Sequence, residues 1–279
     1  MRYDLASSGL LGRLAQSVER LVYTENVGGS SPSPPTMPRR GRAVLRSGVS
    51  AALAVATAFS VLPVEAARAA EPMAFELLTI AGPAPCHKRR CAEAEVRADV
   101  ISAQGEITND TADAFKAFVQ QHASDPDFRP LVLLNSPGGT VVGAMKLGLM
   151  LRQFGSSVLV ARARGTDGSE DLHVVSGYCM SACVYAFFGG KRRIIPPGSH
   201  LGIHRMAIYS HGFDFFGGGE STTRSYGTGE LVDALSAYTK MMGVNPAVIA
   251  EAEQIEPEAI HIVTPKEIAR WRLGTPRLR

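Results

Sequence analysis

Three short segments of this chain carry residue types that can break an acyl bond if the fold brings them together. They are residues 135–139, with the sequence Asn-Ser-Pro-Gly-Gly, then Ser181, and then His204 at the end of an apolar stretch. A serine hydroxyl can act as a nucleophile, a histidine can remove its proton, and backbone N–H groups beside glycine can stabilise an oxyanion. Together these groups are the parts of serine acyl-transfer chemistry.

Each segment also has an ordinary structural interpretation. Residues 135–139 can be a plain strand-to-helix turn, Ser181 can be the N-cap of an apolar helix, and His204 can be a buried histidine among the seven in the chain. Order and spacing favour the chemical interpretation when all three are considered. Gly139 lies 42 residues before Ser181, and Ser181 lies 23 residues before His204.

The elements that would position these residues alternate between strand-like and helix-like patterns. Strands are predicted at 93–102, 131–134, 158–160, 174–175, 194–195 and 201–204, and helices at 111–122, 140–154, 181–188 and 230–242. Polar residues 164–171 predict a surface loop, and the Gly-, Ser- and aromatic-rich residues 209–229 predict a mobile loop. This alternation indicates one α/β domain with a parallel sheet over residues 93–275.

Two long motifs carry a family resemblance. Residues 131–154, with LLNSPGGTVVGAMKLG, and residues 176–205, with SGYCMSACVYAFFGGKRRIIPPGSHLGIHR, resemble the Clp protease proteolytic subunit, and more closely its exported bacterial relatives. Residues 262–274 are similar to the C-terminal segment of that family. The resemblance implies the fold of the crotonase-like superfamily, a spiral of ββα units, over residues 93–275.

The resemblance also implies a role for each matching residue. Ser181 would be the nucleophile and His204 the general base, and the backbone N–H groups of Gly139 and Ala182 would form the oxyanion hole. The implied activity is that of a serine peptidase acting on a peptide or protein, with no metal and no organic cofactor.

The third member of the family's catalytic triad, an aspartate, has no clear counterpart. Ungapped alignment on Thr264 places Ile260 at that position. Glu256 and Glu258 lie close by and could orient His204, or the site could be a Ser–His dyad without a carboxylate.

Three further interpretations remain open. The chain can be a binding or scaffold protein that keeps the crotonase-like fold without catalysis. A Ser–Lys peptidase of the signal-peptide peptidase kind would need Lys146 or Lys191 as its base. Neither lysine matches the motif of the signal-peptide peptidase family. A coenzyme-A-dependent crotonase enzyme is not expected, because an exported protein meets no acyl-CoA.

The N-terminal quarter predicts export. An arginine cluster at residues 39–46, an uncharged and mostly apolar run at 47–64, and Ala-Arg-Ala at 67–69 form a signal-peptide pattern with cleavage after Ala69. The alternative is an uncleaved membrane anchor. Residues 1–36 resemble a tRNA gene read as protein, which predicts that translation starts at Met37, and the alternative is a disordered extension. The periplasm or the exterior is therefore the expected location.

Cysteines and charge complete the prediction. Cys86 and Cys91, in a linker predicted at residues 70–92, can bridge locally, and Cys179 and Cys183 can bridge if the chain turns between them. A zinc site built from both pairs is the alternative. Residues 1–69 hold eight of the 29 Lys and Arg and four of the 26 Asp and Glu, which leaves residues 70–279 with a net charge of −1.

That charge balance offers no basic surface for nucleic acid. An ATP-driven unfoldase partner is not expected outside the cytoplasm, and a homo-oligomer remains open.

Overall fold

Eleven strands and six helices build the part of the chain that the computed structural model describes, which is residues 71–83, 95–122, 130–165, 171–214, 219–226 and 229–276. The strands are β1 (Ala74–Pro83), β2 (Glu95–Gln104), β3 (Leu131–Asn135), β4 (Ser157–Gly165), β5 (Leu172–Ser176), β6 (Tyr178–Met180), β7 (Arg192–Ile194), β8 (His200–Ile203), β9 (Ala207–Asp214), β10 (Gly219–Tyr226) and β11 (His261–Ile262). The helices are α1 (Thr111–His122), α2 (Val141–Gln153), α3 (Cys183–Phe188), α4 (Gly229–Met241), α5 (Ala247–Ala252) and α6 (Pro265–Trp271).

Most of the predicted elements are present, with bounds shifted by a few residues. The signal peptide, the first 36 residues and the Cys86/Cys91 pair all lie outside the described residues. Every described residue belongs to a single compact unit of the chain. Within the described ranges, no helix combines the length and the apolar character needed to cross a membrane.

The main sheet has six strands in the order β3-β2-β1-β5-β4-β7, and β3 also pairs with β4. The predicted parallel sheet is only partly correct, because the sheet is mixed. β3 pairs in parallel with both β2 and β4, but β1 is antiparallel to β2, and β4 is antiparallel to β5. In each of these antiparallel pairs at most 11 residues separate the two strands in the sequence, and a parallel pairing needs a crossover connection of about a dozen residues or more.

Strand β1 lies inside the segment that the sequence predicts as a linker. It pairs with β2 along its whole length, from Ala74 opposite Gln104 to Pro83 opposite Glu95. Its sequence, AFELLTIAGP, contains the apolar and β-branched residues that favour a strand.

A second sheet of three strands, in the order β11-β8-β6, lies next to the segments that carry Ser181 and His204. β6 and β8 run in parallel, with Met180 opposite Gly202. β11 is held at the other edge of β8, and His261 Nε2 lies 2.9 Å from Glu267 Oε2 in α6. Glu267 also completes a capping box with Thr264, so α6 fixes the end of β11.

The predicted mobile loop at residues 209–229 is wrong in its larger part. β9 and β10 form a two-stranded antiparallel hairpin, with Ala207 opposite Tyr226 and Asp214 opposite Gly219. The aromatic and β-branched residues of these two segments favour strands.

The hydrophobic core surrounds α3, all six residues of which are buried. Helix α2, with its N-cap at Thr140, contacts α3 from one side, and Tyr238 of α4 donates a 2.7 Å hydrogen bond from its hydroxyl to the carbonyl oxygen of Tyr185. A helix that is apolar on every face needs neighbours all round it. The short α3 is therefore held rigidly, and so is the turn that precedes it.

Two arginines hold the C-terminal end of α3. The guanidinium groups of Arg152 and Arg193 both donate to the carbonyl oxygens of Phe188, Gly190 and Met242. Burial, together with the charge of Arg152, lowers the pKa of Arg193 to about 10, so Arg193 remains a cation near neutral pH. They satisfy carbonyl groups that the end of a helix leaves without partners.

Candidate active site

Ser181 lies in the turn between the last residue of β6 and the first residue of α3. Its φ angle is 55°, which places this serine in the left-handed region of the backbone map. That conformation costs a residue other than glycine about 1 to 2 kcal/mol. A serine on a sharp strand-to-helix turn is the geometry that exposes a nucleophilic hydroxyl in other hydrolases.

The alternative prediction, that Ser181 is the N-cap of the helix, is wrong. The N-cap of α3 is Ala182, and no side chain makes a capping hydrogen bond there. The strained backbone of Ser181 therefore has no capping role to account for it. Strain of this kind is found mainly at functional sites.

Three backbone hydrogen bonds fix the position of this turn. The N–H of Ser181 donates to the carbonyl oxygen of Gly202 at 2.8 Å, and the N–H of Val184 donates to that of Ser181 at 3.1 Å. The N–H of Met180 donates to the carbonyl oxygen of Ser136 at 3.0 Å. The turn therefore lies between β8 on one side and the segment 135–139 on the other.

The segment 135–139 needs its two glycines at this position. Gly138 and Gly139 have φ angles of 119° and 135°, which side chains rarely permit. A Cβ on Gly138 would lie 2.9 Å from the carbonyl oxygen of Met180 and 2.9 Å from Cβ of Ser181. A Cβ on Gly139 would overlap the backbone of Ile107. The absence of side chains lets this segment pack directly against the serine turn.

Two backbone N–H groups in this region are not used by the fold. The N–H of Ile107 donates to the carbonyl oxygen of Gly138, and the N–H of Thr140 donates to the carbonyl oxygen of Ile107. Gly139 lies between these two hydrogen bonds, and its own N–H faces away from Ile107. No backbone hydrogen bond among the described residues takes up the N–H of Gly139 or of Ala182. Free donors beside a nucleophile are what an oxyanion hole requires.

His204 follows directly after β8 and lines the same cleft as Ser181. Its ring is about half-buried, and this burial lowers its pKa below the usual value, although the backbone of Arg205 partly opposes the effect. Its Nδ1 atom is buried and has no partner at hydrogen-bonding geometry. No hydrogen bond joins the side chains of Ser181 and His204 within the described residues. Among the described residues, no carboxylate therefore orients the imidazole of His204 through Nδ1.

The wall of the cleft is apolar. It is formed by seven side chains besides Ser181 and His204, namely Val184, Tyr185, Phe188, Ile203, Val248, Ile249 and Ala252. The first three lie three, four and seven positions after Ser181, a helical spacing that could have revealed them in the sequence. The last three belong to α5, and no pattern in the sequence connects that helix to Ser181.

Neither glutamate suggested for the third triad position bonds to Nδ1 of His204, because that atom has no partner. Glu256 instead accepts a 3.2 Å hydrogen bond from the hydroxyl of Tyr226. A second Glu256 oxygen lies 3.9 Å from the guanidinium of Arg205, which also stacks at 3.7 Å over the ring of Tyr226. Ile260, the residue at the ungapped position, is 47% exposed.

The other predicted residues lie away from the cleft. Neither Lys146 nor Lys191 is among its lining residues. Cys179 and Cys183 form a disulfide, so these two thiols cannot serve the zinc site considered as an alternative. The described residues contain no group of three or more side chains suited to hold a metal ion.

Comparisons with known proteins give structural likeness alone. No family model matches the chain, and no curated protein does. Among solved structures, the chain is similar to a serine-to-alanine variant of the 1510-N membrane-bound stomatin-specific protease, with a TM-score of 0.41 and 19% identity over 62% of this chain and 75% of the other. A lysine-to-alanine variant of that protease, in complex with a substrate peptide, gives a TM-score of 0.41 and 20% identity over 62% and 71%.

The third similar structure is an asparagine-to-aspartate variant of ClpP1 from Listeria monocytogenes. Its TM-score is 0.35, with 14% identity over 61% of this chain and 84% of the other. Since all three scores are below 0.5, the function has to be inferred from the geometry of the site.

Proposed function

We propose that this chain is an exported serine hydrolase of Clp-protease-like fold that cleaves peptide bonds, with Ser181 as its nucleophile. The observation that carries the proposal is the left-handed backbone of Ser181 at a strand-to-helix turn, in a cleft shared with His204. This conformation is strained, and no capping role of the Ser181 side chain accounts for it.

In the proposed mechanism, His204 takes the proton of the Ser181 hydroxyl as the oxygen attacks the substrate carbonyl. The N–H groups of Gly139 and Ala182 donate to the oxyanion that forms, and each such donor is worth about 3 to 4 kcal/mol of barrier. His204 then gives its proton to the leaving amine. Water attacks the acyl-enzyme in a second round of the same steps and regenerates Ser181.

The lowered pKa of His204 suits this role, because a base must be neutral to accept a proton. The missing partner on Nδ1 has a cost. Without a carboxylate to orient the imidazole and stabilise its charged form, the rate is expected to be several orders of magnitude below that of a complete triad. The proposed enzyme is therefore a slow Ser–His hydrolase.

The unpartnered Nδ1 of His204 also favours a second candidate from another class. A binding or scaffold protein with the same fold would keep the apolar cleft, and it would need neither an orienting carboxylate nor a Ser–His hydrogen bond. Its cleft would hold an apolar group of a ligand without reacting with it. The two candidates differ in one measurable property, which is the reactivity of Ser181.

The deciding experiment is active-site labelling of the full chain with a fluorophosphonate probe, with the adduct mapped by mass spectrometry. A hydrolase gives a stoichiometric adduct on Ser181 that is lost in Ser181→Ala and falls by a factor of about a hundred in His204→Ala. Folding of each variant is checked by its unfolding midpoint. Folded protein that gives no adduct would favour the binding protein, and labelling of Ser181 that persists in His204→Ala would contradict the role of His204 as the general base.

Export is the second part of the proposal. It is supported by the signal-peptide pattern at residues 37–69 and by the disulfide between Cys179 and Cys183, since disulfides persist in oxidising compartments. Fractionation of cells that express the gene, with N-terminal sequencing, tests it. We expect a mature protein outside the cytoplasm that begins at Ala70. A chain that keeps Met37 in the soluble cytoplasmic fraction would contradict export.

A further inference from the structure

The disulfide between Cys179 and Cys183 encloses Ser181 in a ring of five residues. Cys179 is the middle residue of β6, and Cys183 is the first residue of α3. The bond therefore joins the strand and the helix across the turn. Both cysteines are fully buried, with 0% of their surface exposed.

Neither cysteine lines the cleft that contains Ser181, His204 and the apolar wall. The disulfide thus cannot touch a substrate held there. Any effect that it has on the reaction must act through the backbone between the two cysteines, that is, through the position of Ser181.

The backbone of Ser181 is the strained part of this ring. Its φ of 55° costs free energy. In the turn, the N–H of Ser181 donates to the carbonyl oxygen of Gly202, and the carbonyl oxygen of Ser181 accepts from the N–H of Val184. A residue in this state persists only when its surroundings hold it there. A covalent link between the residues two before and two after Ser181 removes most of the alternative conformations of the turn.

We propose that the Cys179–Cys183 disulfide is a positioning element that holds Ser181 in the left-handed conformation needed for attack. This inference rests on the proposed hydrolase function, and it names two residues that act through the nucleophile without contacting substrate. Loss of the bond lets Ser181 relax toward a right-handed backbone, which turns its hydroxyl away from the free N–H groups of Gly139 and Ala182.

The first test separates reaction from binding. The Cys179→Ala/Cys183→Ala variant is labelled with the fluorophosphonate probe, and the maximal labelling rate and the half-saturating probe concentration are measured separately. We expect the maximal rate to fall at least tenfold while the half-saturating concentration stays within twofold, because the cleft wall is intact. A Cys86→Ala/Cys91→Ala variant serves as the matched control and should keep the wild-type rate. An unchanged maximal rate in the first variant would overturn the inference.

The second test does not depend on activity. Glycine adopts the left-handed conformation without strain, so Ser181→Gly should raise the thermal unfolding midpoint when the disulfide is present. In the Cys179→Ala/Cys183→Ala background, where the turn has relaxed, the same change should lower the midpoint, since glycine loses more entropy on folding. A shift of the same sign and size in both backgrounds would overturn the inference, whether or not wild-type Ser181 proves reactive.

If the double cysteine variant does not fold, the wild-type protein itself supplies the test. Native protein is treated with a phosphine reductant, and the free thiols of Cys179 and Cys183 are counted by alkylation and peptide mapping. We expect the fraction of Ser181 that is labelled to fall in proportion to the fraction of molecules in which Cys179 and Cys183 are free thiols. Full labelling of protein with both thiols free would contradict the proposed role.

Discussion

The backbone N–H of Ser181 donates a 2.8 Å hydrogen bond to the carbonyl oxygen of Gly202, two residues before His204. β6, which leads into Ser181, runs parallel to β8, which leads into His204, and Met180 lies opposite Gly202. The proposed nucleophile and base are far apart in sequence, yet a single pair of strands sets their separation. Their alignment therefore depends on backbone pairing rather than on a contact between the two side chains.

Gly138→Ala should damage the site, whereas Gly243→Ala should not. The new Cβ at 138 would meet the carbonyl oxygen of Met180 and displace Ser181, so we expect labelling of Ser181 to slow by about a hundredfold, the loss of one oxyanion donor. Gly243 also has a positive φ, 72°, but a Cβ placed there would meet no atom within 4 Å. Gly243→Ala therefore measures only the cost of placing alanine in a left-handed backbone, about 1 kcal/mol of stability. Labelling kinetics and urea unfolding measure the two effects. Equal labelling of both variants would show that the close approach at Gly138 is unimportant.

The labelling rate should rise with pH along a single titration whose midpoint is below about 6.5, the ordinary pKa of histidine. Burial lowers the pKa of His204, so its neutral form, the reactive base, persists to lower pH than in an exposed histidine. Rate constants measured with the probe across the acidic and neutral range test this expectation. A midpoint above the ordinary histidine pKa would contradict the direction of the shift.

The same group should affect stability. Above a pH of about 6.5, His204 is neutral in both the folded and the unfolded chain. As the pH falls below that value, the unfolded chain takes up a proton first, because the pKa of His204 is lower in the folded protein. The free energy of unfolding should therefore decrease as the pH falls from the pKa of His204 in the unfolded chain to its lower pKa in the folded protein. Below that pH, the contribution of His204 should stay constant. Urea unfolding of wild type and His204→Gln across this range isolates the contribution, which should be missing in the variant.

Glu256→Gln should leave the reactivity of Ser181 within about twofold of wild type. The Glu256 carboxylate interacts with Arg205 and Tyr226, and His204 Nδ1 has no hydrogen-bond partner. Because the ion pair with Arg205 is long and Glu256 is exposed, its loss should cost less than about 1 kcal/mol of stability. A hundredfold drop in labelling, without a change in the unfolding midpoint, would instead identify Glu256 as an orienting carboxylate.

Arg193→Lys should destabilise the fold strongly. The guanidinium of Arg193 donates to five carbonyl oxygens, those of Phe188, Gly190, Met242, Arg272 and Leu273. An ammonium group has three donors and lacks the planar fork, so at least two of the five hydrogen bonds are lost, at about 2 to 4 kcal/mol in total, although Arg152 still donates to the carbonyl oxygens of Phe188, Gly190 and Met242.

Arg162→Lys is the matched control for Arg193→Lys. Arg162 donates to one carbonyl, that of Ser176, at a more exposed position. Its replacement should change the free energy of unfolding by less than about 0.5 kcal/mol. Urea unfolding curves of the two variants measure the difference, and similar losses would show that the Arg193 contacts contribute little.

Local patterns predicted much of the fold. The apolar run 131–134 predicted β3, because a continuous apolar run is typical of a strand that is buried on both faces, as β3 is. The segment after Thr140 predicted α2, which follows in the structure with Thr140 as its N-cap. The hairpin of β9 and β10 and the antiparallel position of β1 were missed. Each of these strands pairs with its neighbour in the sequence, but strand propensity alone is weak and does not show which segments will pair.

The candidate site could be predicted only in part. The types and order of Ser181, His204 and the two glycines indicated the chemistry, and the structure places Ser181 and His204 in one cleft and the glycines beside the serine turn. The left-handed backbone of Ser181 could not be predicted, since serine has little preference for it. The roles of α5 and of Arg205, which engages Glu256, depend on tertiary contacts that leave no local signal.

The pairing of β6 with β8 also makes the proposed reactivity a property of the folded chain. β8, residues 135–139 and the cleft wall that includes α5 surround the strained turn of Ser181. An unfolded chain lacks these contacts. We therefore expect Ser181 to be latent as long as the segments that surround it are apart.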